Sequence, residues 1–403
     1  MKHITPELYN VDIRACDHQK LIDLIQEKMS LEHYGTRISP YLLTCEQSLE
    51  SQISMMHEVL QKAIKVIVEN YLVNKDISDK LPLPSKHLKL IKLASQKPYR
   101  IFSIRPDFLI SETGEIKLCE INARFTANGF IGAHWIAQAF SKKHNNPQQD
   151  YDILARYLSR FDQKKPLFLL RDSERGYDLN LLAQYMQKND YTVYNICPDD
   201  LSLNQGQLYA NGTHCQQIVF ELLQSELDDF APDVLEALIQ QSNYVNDIRT
   251  ILLVHDKRFF SLLSDENLMS KYLSDHEVAL LAKHIIKTYS LSTVADQVLK
   301  NPQQWVLKKC LSGKGEGMYI GADTDVEQLA EVVDNLSEQY IAQPFLKQKQ
   351  VEIDIDGQMV DCYVVGMILS LNGQFCGSGF FRASAQKIIA VSRGGVIVVP
   401  SYQ

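Results

Sequence analysis

Glu120 and Asn122 stand two residues apart at the end of Arg105-Pro-Asp107-Phe-Leu-Ile-Ser-Glu-Thr-Gly114-Glu-Ile-Lys-Leu-Cys-Glu120-Ile-Asn122. Side chains alternate across a strand, so the two share a face if this segment is extended. A carboxylate and an amide oxygen side by side make a hard-oxygen pair. Such a pair suits Mg²⁺, which takes one or two carboxylates and completes its shell with phosphate oxygens and water. The neighbouring residues predict the strand: Phe108 to Ile110 and Ile116 to Ile121 read as a hairpin. Its turn runs from Glu112 to Glu115, with Gly114 free to take positive φ. For these residues alone, a solvated polar end of an edge strand is the alternative reading.

A second group lies almost two hundred residues on. Trp305 to Ile320 reads as another hairpin, with Gly313, Gly315 and Gly317 at alternate positions in its turn. Glycines let backbone N–H groups close around phosphate oxygens without interference from Cβ. Lys308 ends the incoming strand, where its ammonium can reach a phosphate. No Gly-Lys-Ser/Thr opens a helix, so this is no P-loop, and the glycines are not a dinucleotide-binding turn. The alternative is a flexible surface hairpin. Lys257 follows the apolar run Ile251 to Val254, read as a strand, and precedes a helix; by itself it is a solvated turn. Gln339 to Leu346 reads as a strand leading into an extended segment that could meet an adenine edge, with Gln343 and Phe345 as candidate contacts. Arg382 and Arg393 are candidates for gripping a transferring phosphoryl group.

The elements that must position these residues are legible in outline. Residues 1–98 read as mainly helical, with Ile53, Met56, Val59, Leu60, Ala63, Ile64 and Ile67 at helical spacing between Ser48 and Tyr71. Residues 99–162 hold the first hairpin and two helices joined by a polar loop, His144 to Asp150. Residues 163–250 alternate strand, helix and strand, which predicts a parallel sheet. A hairpin of Gln207–Ala210 with Cys215–Glu221 follows across Asn211-Gly212, then a helix over Pro232–Gln241. Residues 251–403 are helical at first and mainly β after Lys300. A chain of 403 residues divides into two or three packed units.

With 45% hydrophobic and 22% charged residues the composition is that of a globular protein. The net charge of −8 argues against a nucleic-acid or anionic-membrane binder, while leaving room for local basic pockets. Eight scattered cysteines, none in a Cys-x-x-Cys pair, fit free thiols in a reducing, cytoplasmic setting. No apolar run is long enough to span a membrane, and the N-terminus lacks a signal peptide's apolar core.

Taken in order, these segments resemble the ATP-grasp superfamily, which joins a carboxylate to an amine through an acyl phosphate. The hairpin with the metal pair precedes the glycine loop, an order that resembles the circularly permuted branch typified by eukaryotic-type glutathione synthetase. The likeness runs from about residue 100 to the C-terminus. It implies an α+β and α/β fold, a circularly permuted ATP grasp with an α/β substrate-binding domain over 163–250 and a helical N-terminal region. It implies Mg²⁺ on Glu120 and Asn122, and ATP at Lys257, Lys308, the glycines Gly313, Gly315 and Gly317, and the segment holding Gln343 and Phe345. It implies a substrate-side arginine at Arg105 and a terminal Gly-Gly loop at Arg393-Gly394-Gly395.

Two departures alter the expectation. The family carries a third metal-binding glutamate four residues after the loop lysine, and here that position is Ser312, with Glu316 nearby. The family's substrate strand ends Tyr-Phe-Arg, and here it reads Val219-Phe220-Glu221, so the group bound there carries a different charge. Glu221 could face an amine or serve the structure. The implied activity is an ATP-dependent ligation of small carboxylate and amine substrates, amino acids or small peptides, by a possible homodimer. Loading onto a carrier or thiol acceptor, phosphoryl transfer on the same ATP site, and a non-catalytic binding module are the alternatives.

Overall fold

The computed structural model describes residues 37–144, 152–173, 177–313, 315–355 and 357–402, together with Asp23. The start of the region read as helical and most of the polar loop at 144–150 lie outside the described residues. β1 (Ile38–Cys45) comes first, then the long helix α1 (Gln47–Asn70) and α2 (Ser85–Ala94). α1 buries Ile53, Met56, Leu60, Ala63, Ile64 and Ile67, the stripe that its spacing predicts. β2 (Ser103–Ile110) and β3 (Ile116–Asn122) form the first hairpin, with Gly114 at φ 79° in its turn. Arg105 lies opposite Asn122 and Asp107 opposite Glu120. The register then slips, because Phe108 pairs with Leu118 and leaves Cys119 as an extra residue. Such a bulge bends a strand and re-aims its side chains, here beside the residues of interest.

After α3 (Phe130–His144) come β4 (Leu167–Arg171), α4 (Tyr177–Lys188) and β5 (Val193–Ile196), a parallel β-α-β unit. β6 (Leu201–Asn204), β7 (Gln207–Ala210) and β8 (Thr213–His214) form a small meander of their own. β9 (Gln217–Glu221) pairs in parallel with β4, and α5 (Pro232–Gln241) leads to β10 (Asn243–Val245) on its other side. The hairpin expected between Gln207–Ala210 and Cys215–Glu221 is therefore corrected: β7 turns back onto β8, and β9 joins the parallel sheet. All five residues of β9 are buried, which a strand flanked on both edges requires.

The chain continues through α6 (Asp275–His284), β11 (Tyr289–Ser290) and α7 (Leu291–Lys300). β12 (Trp305–Lys309), β13 (Met318–Ile320), α8 (Val326–Leu336) and β14 (Tyr340–Pro344) follow, and the four strands form an antiparallel sheet ordered β11-β14-β12-β13. Ile251–Val254 is a helical turn within Thr250–Val254 and not a strand. A short fully buried apolar run carries no period that separates the two. β15 (Val351–Ile355), β16 (Gln358–Met367), β17 (Ser370–Leu371), β18 (Gln374–Phe375), β19 (Phe381–Ser384) and β20 (Val396–Tyr402) return to the first hairpin and complete a nine-stranded sheet. β20 pairs in parallel with β1, which the reading of residues 1–98 as mainly helical did not include.

Residues 251–403 thus divide between two sheets, and the gap between those sheets is where the candidate site lies. The large sheet has a core on each face: Val396 and Val398 pack with Phe108 and Phe381, while Ile397 and Val399 pack with Met367 and Leu369. No described helix is long and apolar enough to cross a membrane.

Gly366 of β16 faces Phe108 of β2, whose ring occupies the space a side chain would need. A Cβ at Gly366 would lie 2.2 Å from the ring. Gly366→Ala should cost roughly 1–3 kcal/mol by overpacking, measured by urea denaturation. Adding Phe108→Leu should return part of that loss, and strictly additive effects of the two changes would refute the contact.

Candidate active site

The cleft between the nine-stranded sheet and the β11–β14 sheet encloses about 520 Å³. Arg105, Asp107, Glu120, Asn122 and Arg382 line it from the large sheet, and Val306, Lys308, Ile320 and Gln343 from the smaller one. Gly313 and Gly315 of the glycine hairpin border it, and Glu221, at the end of β9, lines its far wall.

The large-sheet wall is organised around Asp107, which is 1% exposed. Arg105 donates from Nε to Asp107 Oδ1 at 3.1 Å and from Nη2 to Oδ2 at 3.3 Å. Arg382 donates from Nη2 to the same Oδ2 at 2.5 Å, and Asn122 donates from Nδ2 at 3.2 Å. β2, β3 and β19 each contribute one or more of these residues, so sheet register alone brings them together. Arg105 also donates to Asn128 Oδ1 at 2.9 Å, which fixes its guanidinium plane.

Glu120 sits next to this group. Burial pushes its carboxyl up, but Lys257, Lys308, Arg382 and Arg105 outweigh that and hold it at about 2. Burial pulls the Lys257 ammonium down, while Glu120 supports it. Lys257 donates to the Ser312 carbonyl at the base of the glycine hairpin, and Lys308 donates to the Cys119 carbonyl at 3.1 Å. The bulge at Cys119 thus supplies the anchor for the second lysine. Each ammonium has three donors, so each keeps donors for a ligand.

The remaining sequence candidates take various places. Gln343 lines the cleft, and its amide donates to Thr288 Oγ1 at 2.9 Å. Phe345 borders an apolar slot with Ile286, Val306, Ile320, Leu346 and Val365, and Lys387 lies 5.7 Å from its ring centre. Gly315 takes φ 72°, and a Cβ there would press on Ile388 at 2.9 Å. Gly317 is not among the residues that line the cleft; it allows close packing on Lys309 and Tyr340. Arg393 is exposed and also lies off the cleft wall, donating to the Gly315 carbonyl at 3.2 Å. It ties the glycine hairpin to the loop before β20, whereas Arg382 lines the cleft. Ser312 donates to the Glu316 carbonyl at 2.7 Å, and Glu316 is exposed off the cleft. Burial pushes the Cys119 and Cys310 thiols up to about 12, so neither is a ready nucleophile.

The far wall is acidic. Glu221 Oε1 accepts from the Thr126 backbone N–H at 2.6 Å, from Thr126 Oγ1 at 2.6 Å and from the Ala127 N–H at 3.1 Å. The Thr126 hydroxyl lies 2.6 Å from Tyr157 Oη, which orders the relay. Burial pushes the Glu221 carboxyl up to about 7. Asp178 accepts from the Gly129 N–H at 2.6 Å and the Gly132 N–H at 3.2 Å at the start of α3. His255 also lines the cleft; burial, Arg124 and Lys257 keep its ring neutral. Asp178, His255 and Arg124 were not singled out in the sequence, since each becomes a cleft residue only through long-range folding. Asp107 was visible in the Arg105-Pro-Asp107 run but gave no sign of its two arginines.

Among the described residues no three His, Cys, Asp or Glu side chains gather as a metal cluster. Glu120 and Asn122 nonetheless fit a cation that takes most of its ligands from phosphate and water. Asn122 directs its Nδ2 at Asp107 and Glu120, which leaves Oδ1 for a ligand.

Comparison with solved structures gives a glutathione synthetase-like effector from Globodera pallida, in its apo form. It superposes with a TM-score of 0.63 and 13% identity, covering 98% of this chain and 100% of that one. The chain shares the fold of that protein. The family model described as the AnkG N-terminal domain matches residues 56–253. The protein is also similar to the ATP-grasp enzyme ankG of Aspergillus thermomutatus, with 20% identity over 90% of this chain and 88% of that one. In this fold the cleft between the nine-stranded sheet and the β11–β14 sheet is the candidate active site.

Two outcomes check the electrostatics. Asp107→Asn leaves Arg105 and Arg382 without their counter-charge and should cost about 3–5 kcal/mol, read as a fall in the urea midpoint. Glu221 binds its proton more tightly folded than unfolded. Its contribution to stability is therefore full below its unfolded value, near 4.5, and is lost as pH rises through about 7. Wild type should lose stability between pH 5 and 7.5 relative to Glu221→Gln. The buried histidines slope the other way but cancel in that difference, and parallel pH profiles would refute the assignment.

Proposed function

We propose that the cleft binds ATP and that the protein joins a carboxylate to an amine. One observation carries the reading: four cations, Arg105, Lys257, Lys308 and Arg382, gather around the two carboxylates Asp107 and Glu120 beside the glycine hairpin, and all of them but Lys257 line the cleft. A partly desolvated surplus of positive charge favours a polyanion, and the apolar slot at Phe345 supplies a surface for a flat base. The fold and the similarity to an ATP-grasp enzyme support the same assignment.

The chemistry follows from position. Lys257 and Lys308 take phosphate charge. Mg²⁺ held by Glu120 and Asn122 would add charge neutralisation at the phosphates. A substrate carboxylate oxygen attacks the γ-phosphorus and ADP leaves, giving an acyl phosphate. The amine nitrogen then attacks the acyl carbon, inorganic phosphate leaves, and the amine proton passes to solvent. Arg382 and Arg105 are held by Asp107 before any ligand arrives, so their fields are preorganised. Catalysis is then positioning and electrostatics, with no protein nucleophile. The glycine hairpin excludes water from the acyl phosphate, which hydrolyses readily.

The test is ADP and phosphate release from MgATP with amino acids and dipeptides, singly and in pairs, with mass detection of products. Turnover should require both a carboxylate and an amine. ATP consumption that never needs an amine would refute ligation and leave phosphoryl transfer. Glu120→Ala should abolish activity with the melting transition retained. Lys308→Met should raise KM for ATP by on the order of tenfold or more, the loss expected for a charge-assisted contact.

A further inference from the structure

We propose that Glu221 is the point at which the protein recognises a primary ammonium group on its substrate. This rests on the ligase reading of the cleft and specifies which end of it the amine-bearing partner occupies.

Glu221 is 2% exposed and lines the cleft at the end of β9, on a different sheet from those that carry Arg105, Lys308 and Arg382. All three of its donors, the Thr126 N–H, the Thr126 hydroxyl and the Ala127 N–H, converge on one oxygen, Oε1. Oε2 has no hydrogen-bond partner among the described residues. One oxygen therefore anchors the carboxyl and the other remains for a ligand. The anchoring does not call for a charge, because a glutamine side-chain oxygen would accept the same three donors. What glutamate adds is negative charge, placed in a buried position with no lysine or arginine bonded to it. A buried carboxyl without a cation is costly, and an ammonium arriving with the substrate removes that cost.

The neighbours favour the same ligand. Asp178 lines the same wall and raises the Glu221 carboxyl further, so the local field repels anions. The Thr126–Ala127 segment that clamps Glu221 continues directly from Asn122 at the phosphate end. A substrate bearing both charges, an amino acid or short peptide, would lie with its ammonium at Glu221 and its anionic parts toward Arg105 and Arg382. The class of substrate follows: a primary amine in its protonated form, bound as a cation.

The experiment uses the whole protein without ATP, so it stands apart from turnover. Saturation-transfer NMR with propylammonium should show binding to wild type near neutral pH, with propionate as the control that does not bind at this wall. Glu221→Gln keeps the acceptor for all three donors and removes the charge. It should weaken propylammonium by on the order of tenfold or more. With an amine that supports turnover, the same variant should raise KM for the amine and leave KM for ATP unchanged. Should Glu221→Gln not fold, Glu221→Asp carries the test, because it keeps the charge but withdraws it by one methylene and should bind more weakly. No propylammonium binding to wild type, or unchanged binding in the folded variant, would overturn the proposal. ATP turnover that requires an amine would survive either result, and amine-independent turnover would fail the ligase reading without touching the ammonium site.

Discussion

The site depends on one buried carboxylate. Asp107 accepts from Arg105, Arg382 and Asn122 at once, and it is almost wholly sealed from water. Two guanidinium groups on β2 and β19, the strands either side of β16, repel each other, and removing them from water is unfavourable unless a counter-charge meets them. Asp107 supplies that counter-charge from the sheet itself, so the arginines are fixed before a ligand binds. Glu120 then remains as the sole further carboxylate among Lys257, Lys308 and the two arginines, and the cluster holds it ionised. The balance stops short of neutrality, and that residual positive charge is what a polyphosphate would meet.

The cleft is polarised along its length. Cations gather where the nine-stranded sheet and the β11–β14 sheet face each other, and Glu221 and Asp178 stand on the wall built by β9 and the start of α4. Residues 123–129 join the two ends. Their backbone N–H groups satisfy Glu221 and Asp178, while Asn128 holds Arg105. One short segment therefore sets the spacing between the cationic end and the acidic end. For a reaction governed by alignment, that spacing matters more than the identity of any single proton carrier.

What could be read beforehand was local. The hairpin with Glu120 and Asn122, the glycine turn, the β-α-β unit and the helix Pro232–Gln241 all rest on periodicity and turn residues within a few positions. The errors fall where distance decides. Thr250–Val254 is helical yet read as a strand, because full burial leaves no polar positions that would reveal a period. Cys215–Glu221 looked like half of a hairpin, yet β9 finds β4, some fifty residues earlier in the chain. β1 gains its place from β20 at the opposite end of the described chain. The same holds for the site. Lys257 and Lys308 were legible from their flanks, whereas Asp178, His255 and the bridging role of Asp107 exist only once separate strands are aligned. Arg393 shows the reverse case, a residue of suitable type near a glycine pair whose side chain holds the hairpin from outside.

Ser312 connects these points. It occupies the position where a further carboxylate would have entered the cleft from the glycine hairpin, and Glu316 does not replace it because it is exposed away from the cleft. The Ser312 carbonyl instead accepts from Lys257, so the hairpin is tied to a cation and not to a metal ligand. With no carboxylate from the loop, the positive surplus in the cleft is larger, which favours the proposed phosphate ligand. A divalent cation correspondingly finds only Glu120 and Asn122 as protein ligands, too few to hold it firmly without phosphate oxygens. Cation and nucleotide should then bind as a unit, each completing the other's site. The glycine hairpin carries its order through Lys257 and Arg393, two positive side chains that bond its backbone carbonyls whether or not a metal is present.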